Sequence, residues 1–120
     1  MVNWNARDKE ILEVVKHTVK DILDSSGKPQ RISLRLIKTR SRLKSFDLQL
    51  DKLPMTKEYI HSVIETPMEL HKRRIRWAID TLIREGESLS VYKILGMVGV
   101  GNKYRKAVKA EVIRQLELNQ

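Results

Sequence analysis

The pattern that constrains the fold most is a helical arrangement that occurs twice along the 120 residues. Each half begins with a long stretch in which apolar residues recur at steps of three and four, the spacing of one face of an α-helix. A glycine ends each stretch, at Gly27 and Gly86, and an apolar residue followed by Ser-x-x-x-Ile comes next, at 32–37 and 89–94. Neither half contains a convincing run of alternating apolar and polar residues. The sequence therefore predicts an all-α fold.

Each half predicts a long helix, a short helix and a third helix, which is the layout of helix-turn-helix domains. We therefore expect two tandem three-helix, helix-turn-helix-like units, over residues 1–65 and 66–120. The second unit fits best, because Gly99 stands where the motif's turn needs a positive φ. The first unit has Arg42 at the equivalent position, so we expect its turn to be built differently or replaced by a longer loop. An ordinary corner between two helices is the alternative.

Local capping signals predict where several helices begin. Asn5 is expected to cap the first helix, and Thr56 to start the third helix of the first unit. Thr66 and Glu69 have the spacing of a capping box at the start of the second long helix. The third helix of the second unit is expected from about Lys103.

The distribution of charge points to a polyanionic partner. The net charge is +9, with 24 basic and 15 acidic residues. Three windows contain no Asp or Glu: residues 28–44 carry +7, residues 71–76 carry +4 and residues 88–110 carry +5. Together they carry +16, so the rest of the chain carries −7. Solvated helix faces usually mix both signs, whereas acid-free blocks beside turns are typical of a surface that binds the phosphates of DNA.

The candidate DNA contacts come from these windows. In a helix-turn-helix protein the start of the third helix faces a groove, and the start of the second helix meets the phosphate backbone. We expect Arg40, Arg42 and Lys44 near the start of the third helix in the first unit. The full set of candidate DNA-binding residues is Arg31, Ser33, Arg35, Lys38, Arg40, Arg42, Lys44, Arg73, Arg74, Ser90, Tyr92, Lys93, Asn102, Lys103, Tyr104, Arg105, Lys106 and Lys109. A solvated surface residue is the alternative interpretation of each.

Several other classes of protein are disfavoured. The chain has no cysteine and three isolated histidines, so we expect no disulfide, no metal site and no cofactor. No motif supports catalysis, and we expect a non-enzyme, although a nuclease-type carboxylate cluster could assemble only in three dimensions. The sequence has no long apolar run and no signal-peptide pattern, which favours no membrane contact and a cytoplasmic, nucleoid-associated protein in a bacterium.

Three segments carry a resemblance to a known family: VNWNARDKEIL at 2–12, LDKLPMTKEYI at 50–60 and RRIRWAIDTLIREGESLSVYKILGMVGV at 73–100. Their most specific parts are Trp4 with Arg7-Asp8, the run Asp51-Lys52-Leu53-Pro54-x-Thr56, and Arg73-Arg74-Ile75-x-Trp77-Ala78. These segments resemble the C-terminal region of the TnsD family, the TniQ-related proteins that select target sites for Tn7-like transposons.

The resemblance implies sequence-specific binding of double-stranded DNA at the attachment site of such a transposon. It also implies recruitment of the AAA+ ATPase TnsC, through the rest of a longer protein. TniQ-type N-terminal regions carry Cys/His zinc motifs and this chain has none, so the resemblance leads us to expect either a C-terminal fragment or a stand-alone relative. The alternative is a helical protein–protein module that recruits an acidic partner or TnsC. Structured RNA is less favoured, because the chain has six aromatic residues and no RNA-binding signature.

Overall fold

The computed structural model describes residues 2–119 and contains no strand within them, so the all-α prediction is confirmed. The elements are α1 (Trp4–Asp24), α2 (Leu34–Ser41), a 3₁₀-helix η1 (Phe46–Lys52), α3 (Pro54–Val63), α4 (Pro67–Arg84), α5 (Val91–Val98) and α6 (Arg105–Leu118). The chain divides into two compact units between Glu65 and Thr66, except that Ser26–Pro29 groups with the second unit. The Nε of Arg74 donates to the carbonyl of Pro29 at 2.8 Å, which fixes that segment in the second unit.

The first unit packs α1, α2, η1 and α3 around one core. The apolar face of α1 that the spacing predicts is buried here. It meets side chains from the other elements, and the buried cluster comprises Ile11, Val15, Val19, Ile22, Ile32, Ile37, Phe46, Leu53 and Ile60.

Asp8 on α1 caps the N-terminus of α3, and it is only 1% exposed. Its two carboxylate oxygens accept hydrogen bonds from the amides of Met55 at 2.9 Å and Thr56 at 3.0 Å. The Thr56 hydroxyl also donates to Asp8, at 2.6 Å. Pro54 has no amide hydrogen, and the amide of Lys57 donates to the carbonyl of Leu53. No amide in the first turn of α3 is therefore left without an acceptor.

The helix starts differ from the sequence expectation at two places in this unit. α1 begins at Trp4, where Asn3 and not Asn5 is the cap, since the Asn3 side chain accepts from the Ala6 amide. α3 begins at Pro54 and not at Thr56. Its cap comes from Asp8, which lies on another helix, so no local signal marks the start.

Glu65 closes the first unit at its other end. Its amide donates to the carbonyl of Ile32 at 3.0 Å, and its carboxylate accepts from the Ile32 amide at 2.9 Å. Both partners are buried. Glu65, two residues after the end of α3, is thus tied to Ile32, two residues before the start of α2.

The connection after α2 contains the expected longer loop, but the turn at Arg42 is not built differently from the turn at Gly99. Arg42 takes the left-handed conformation, with φ of 61°, at the position equivalent to Gly99. The chain then continues through a loop, in which Ser45 also has a positive φ of 60°, into η1 before α3 begins. A non-glycine residue in this region costs about 1–2 kcal/mol, so the loop carries backbone strain at two positions.

The second unit packs α4, α5 and α6 as the sequence predicts. Thr66 and Glu69 form the expected capping box on α4, and Ser90 caps α5. Gly99 has φ of 75° and ends α5 in the left-handed conformation. α6 starts at Arg105, two residues later than expected. The buried cluster comprises Ile75, Ala78, Ile79, Leu82, Ile94, Leu95, Val98, Val108 and Val112.

We predict that Asp8 is among the least replaceable side chains of the first unit. Asp8→Ala removes the side-chain acceptor of the Met55 and Thr56 amides and of the Thr56 hydroxyl. The buried Thr56 amide is then left without a partner, which should lower the free energy of unfolding by about 2–3 kcal/mol. Asp8→Asn retains one acceptor oxygen and should lose less. Thermal unfolding measures both, with Asp24→Asn on the exposed end of α1 as the control that should change little. Equal melting temperatures for Asp8→Ala and Asp24→Asn would contradict the assignment.

The same carboxylate predicts the acid sensitivity of the fold. Burial acts to raise the pKa of Asp8, but the hydrogen bonds from the Thr56 side chain and from the Met55 and Thr56 amides outweigh it, so the pKa lies below its ordinary value. The stabilisation is therefore fully present above the unfolded pKa of about 3.9 and is lost as the pH falls through the lower folded pKa. Asp8→Asn should flatten the dependence of the melting temperature on pH in this acid range.

The two left-handed positions predict opposite effects of substitution. Arg42→Gly should raise the free energy of unfolding by roughly 0.5–1 kcal/mol, because glycine adopts positive φ without strain. Gly99→Ala should lower it by about 1–2 kcal/mol. Arg42→Ala is the matched control, since it removes the guanidinium and keeps the strained φ. Chemical denaturation measures all three, and an equal gain for Arg42→Ala and Arg42→Gly would show that strain is not the cause.

Candidate nucleic-acid interface

The N-terminus of α6 is open, unlike that of the other α-helices. In α1, α2, α4 and α5 the side chain of the helix's own N-cap residue accepts a hydrogen bond from the first turn. In α3 the side chain of Asp8 does so. The N-cap residue of α6 is Tyr104, which makes no side-chain cap hydrogen bond. Within residues 2–119, α6 is therefore the one α-helix whose first turn has no side-chain acceptor. Free amides and the positive end of the helix dipole favour an anion at this position.

Exposed basic and amide side chains surround this open turn. The amides of Tyr104 and Arg105 donate to the carbonyls of Gly101 and Asn102, so the turn before α6 has a defined shape. The surrounding exposed residues are Asn102, Lys103, Arg105 and Lys106. Of these, Lys103 places its Nζ 5.5 Å from the centre of the Tyr104 ring. The structure thus brings together the sequence-predicted residues of the turn and the first turn of α6.

Tyr104 itself is half-buried, and its ring packs on His71 of α4 with ring centres 5.8 Å apart. His71 is buried, and its Nδ1 has no hydrogen-bond partner in the described part of the chain. Burial lowers the pKa of His71, and the positive charges of Arg74 and Lys28 lower it further. The lowered pKa favours the neutral imidazole, and its ring packs on Tyr104 just before the first turn of α6.

The start of α5 lies close to α6 through one side-chain pair. The Nζ of Lys109 is 3.4 Å from the hydroxyl of Tyr92 and 5.2 Å from the centre of its ring, and Tyr92 is 66% exposed. Ser90 accepts from the amide of Lys93, whose Nζ lies 3.5 Å from Glu87. Ser90 is therefore used as a cap, while Tyr92 and Lys109 present one joint polar surface.

Four predicted residues of the first unit are engaged inside that unit. Arg31 donates through Nε to the carbonyl of Glu65 at 2.8 Å, and Ser33 caps α2 by accepting from the Leu36 amide. The other two pair with side chains: Lys38 lies 3.1 Å from Asp47, and Arg40 donates to Gln30 at 2.9 Å. Arg35, Arg42 and Lys44 are exposed.

One group of predicted residues does not lie where the helix-turn-helix pattern predicts. Arg40, Arg42 and Lys44 lie at the end of α2 and in the following loop, because the third helix begins only at Pro54. On α4, Arg73 and Arg74 are half-buried, and both make contacts within the described chain. Arg74 in addition holds Pro29.

Two features of the first unit could not be predicted from the sequence pattern. One is a groove between α2 and η1, and the other is the exposed side chain of Leu48 on η1. The groove has a volume of about 550 Å³ and is lined by Leu34, Arg35, Lys38, Thr39 and Asp47. Leu48 is 81% exposed. The segment after α2 has no helical periodicity, so only the structure identifies which of its leucines faces solvent.

Residues 2–119 contain no group of three or more His, Asp or Glu side chains that could hold a metal ion, and no helix there is long and apolar enough to cross a membrane.

A family model described as TnsD, Tn7-like transposition protein D, matches residues 1–60, which is half of the chain. No curated protein and no solved structure gives a significant match. The matched region contains Trp4, Asp8 and Thr56, and contacts join the segments to which they belong. Asp8 caps α3 at Thr56, and the Nζ of Lys52 lies 4.7 Å from the centre of the Trp4 ring. The chain therefore belongs to the TnsD family of Tn7-like transposition proteins.

Proposed function

We propose that this chain binds a specific sequence in double-stranded DNA and thereby selects the insertion site of a Tn7-like transposon. The observation that carries the proposal is the open N-terminus of α6, with Asn102, Lys103, Arg105 and Lys106 exposed around it. A helix start of this kind attracts the DNA backbone and can present side chains to base edges in the major groove.

The side chains at this turn have the chemistry that base reading requires. Arg105 can donate two hydrogen bonds to the O6 and N7 atoms of guanine, and Asn102 can pair with the N6 and N7 atoms of adenine. Lys103 and Lys106 can neutralise phosphates on either side. We assign Tyr104 a supporting role, because its ring packs on His71.

The first unit has a different part in this proposal. Asp8 occupies the first-turn amides of α3 with a carboxylate, so that helix start would repel a phosphate. α3 also exposes Glu58. We therefore assign the first unit to backbone contacts through Arg35, Arg42 and Lys44, which are exposed on α2 and the loop after it.

The other predicted residues complete the proposed interface. Tyr92, Lys93 and Lys109 suit phosphate contacts beside α6. The residues that already make internal contacts act chiefly by holding the contacting elements in position; they are Arg31, Ser33, Lys38, Arg40, Arg73, Arg74 and Ser90.

Membership of the TnsD family supports partners in the transposition machinery. We propose that this module places a longer TnsD-type protein on chromosomal DNA in the bacterial cytoplasm, and that the rest of that protein recruits the TnsC ATPase. A groove of about 370 Å³ on the α1–α3 face favours protein docking as a second candidate function. It is lined by Leu12, Lys16, Met55, Glu58, Tyr59 and Ser62.

We predict that selection from random duplex DNA enriches a defined motif. Arg105→Ala should weaken binding to that motif by roughly 5- to 150-fold, the equivalent of about 1–3 kcal/mol for a bidentate base contact. It should also relax the preference at one base position, and Asn102→Ala should do the same at another. With about 6–10 phosphate contacts, affinity should fall by about 10³–10⁵ between 50 and 200 mM salt.

Arg84→Ala is the matched control for Arg105→Ala. Arg84 is an exposed arginine of the second unit at the far end of α4, beside acidic Glu85 and Glu87. It should leave both affinity and motif unchanged. Failure to enrich any motif, or a binding constant that does not respond to salt, would refute the proposal and favour the protein-docking candidate.

A further inference from the structure

Leu48 presents an apolar side chain to solvent from a firmly anchored element. It is 81% exposed, whereas Phe46 two residues before it is 3% exposed and Leu53 after it is fully buried. The amide of Leu48 donates to the carbonyl of Ser45 at 3.2 Å. The buried residues on both sides hold η1 in place, so Leu48 projects from a fixed backbone.

The loop that precedes Leu48 is also held in one shape. Arg42 and Ser45 both adopt positive φ values. The hydroxyl of Ser41 accepts from the Leu43 amide at 3.3 Å and donates to the carbonyl of Lys38 at 3.3 Å. Strained backbone in an exposed loop is retained only where the surroundings enforce it, and such positions concentrate at functional sites.

The surface around Leu48 is positively charged. Residues 40–52 contain four basic and two acidic side chains, a net charge of +2. Both acids are paired with lysines outside this segment: Asp47 lies 3.1 Å from Lys38, and Asp51 lies 3.1 Å from Lys57. The charges of Arg42 and Lys44, which are exposed, are therefore not offset by these carboxylates.

We propose that the segment Arg42–Leu48 enters the minor groove of double-stranded DNA, where Leu48 packs against a base step and Arg42 and Lys44 lie along the phosphate walls. This inference rests on the proposed DNA-binding function. The minor groove is about 6 Å wide, too narrow for a helix but sufficient for a loop. Minor-groove proteins combine arginine or lysine with an apolar wedge such as leucine, which partly unstacks the bases. The groove beside α2, which includes Arg35, can take the adjacent backbone.

A protein partner fits this surface less well. The core of a protein–protein interface is depleted in charged residues and contains several apolar side chains. Within residues 24–54 of the chain, Leu48 is the one large hydrophobic side chain that is exposed, and the basic residues nearest to it in sequence are Lys44 and Lys52. One exposed leucine in a segment with net positive charge is suited to pack against a base step of DNA.

The test uses the motif obtained by selection, in a duplex with 2-aminopurine placed at successive positions across the site. Wild-type protein should raise the 2-aminopurine fluorescence at one step, because unstacking increases its emission. Leu48→Ala should abolish that rise and weaken binding by roughly tenfold, as expected for the loss of one buried leucine side chain. The minor-groove ligand netropsin should compete with the wild-type protein.

Leu118→Ala is the matched control, since Leu118 is 67% exposed at the end of α6. It should change neither binding nor fluorescence, and both variants should melt at the wild-type temperature. If the wild-type protein binds the selected DNA and Leu48→Ala binds it equally tightly, the minor-groove inference alone is overturned. The same holds if the wild-type protein binds but netropsin does not compete with it. Absence of any wild-type binding to selected DNA would overturn the proposed function, and the inference with it.

Discussion

The carboxylate of Asp8 is the interaction on which the first unit depends. It reaches from α1 to the first turn of α3 and accepts hydrogen bonds from two amides and a hydroxyl at once. A buried charge is costly unless hydrogen bonds compensate it, and here three donors do so. The same contact joins the two segments of the family resemblance that lie within residues 1–60, since Asp8 belongs to one and Thr56 to the other. The two segments are thus in direct contact in the folded first unit.

Because of the Asp8 contact, the third helices of the two units differ in whether their N-termini can bind an anion. α3 begins with its amides bound to a carboxylate, and α6 begins with no side-chain acceptor and with basic residues around it. The two units have the same order of helices, a long one, a short one and a third, and yet they offer different surfaces to an anion. On this basis the second unit suits base reading, and the first unit suits backbone and loop contacts through Arg42 and its neighbours.

Local signals allowed much of the fold to be predicted. Ser33, Thr66 and Ser90 each cap the helix that follows, and Gly99 adopts the positive φ that its position requires. These features depend on residues within three or four positions of one another. The start of α3 could not be predicted in this way, because its cap Asp8 lies 47 and 48 positions before the amides that it binds. Likewise, arginine rarely adopts a positive φ, so its residue type does not predict the left-handed conformation of Arg42. That conformation depends on the loop and η1 that follow. The predicted site residues were chosen by charge and position, but the sequence could not distinguish Arg31, which holds Glu65, from Arg35, which is exposed.

The most direct test of the difference between the two units is a titration of the ¹⁵N-labelled chain with the selected duplex, followed by amide chemical shifts. The amides of Lys106 and Ala107 at the start of α6 and those of the Arg42–Leu48 loop should shift strongly, because phosphates approach them. The amides of Met55 and Thr56 should stay in place, since Asp8 already binds them. Large shifts at Met55 and Thr56 with none at Lys106 and Ala107 would contradict the account.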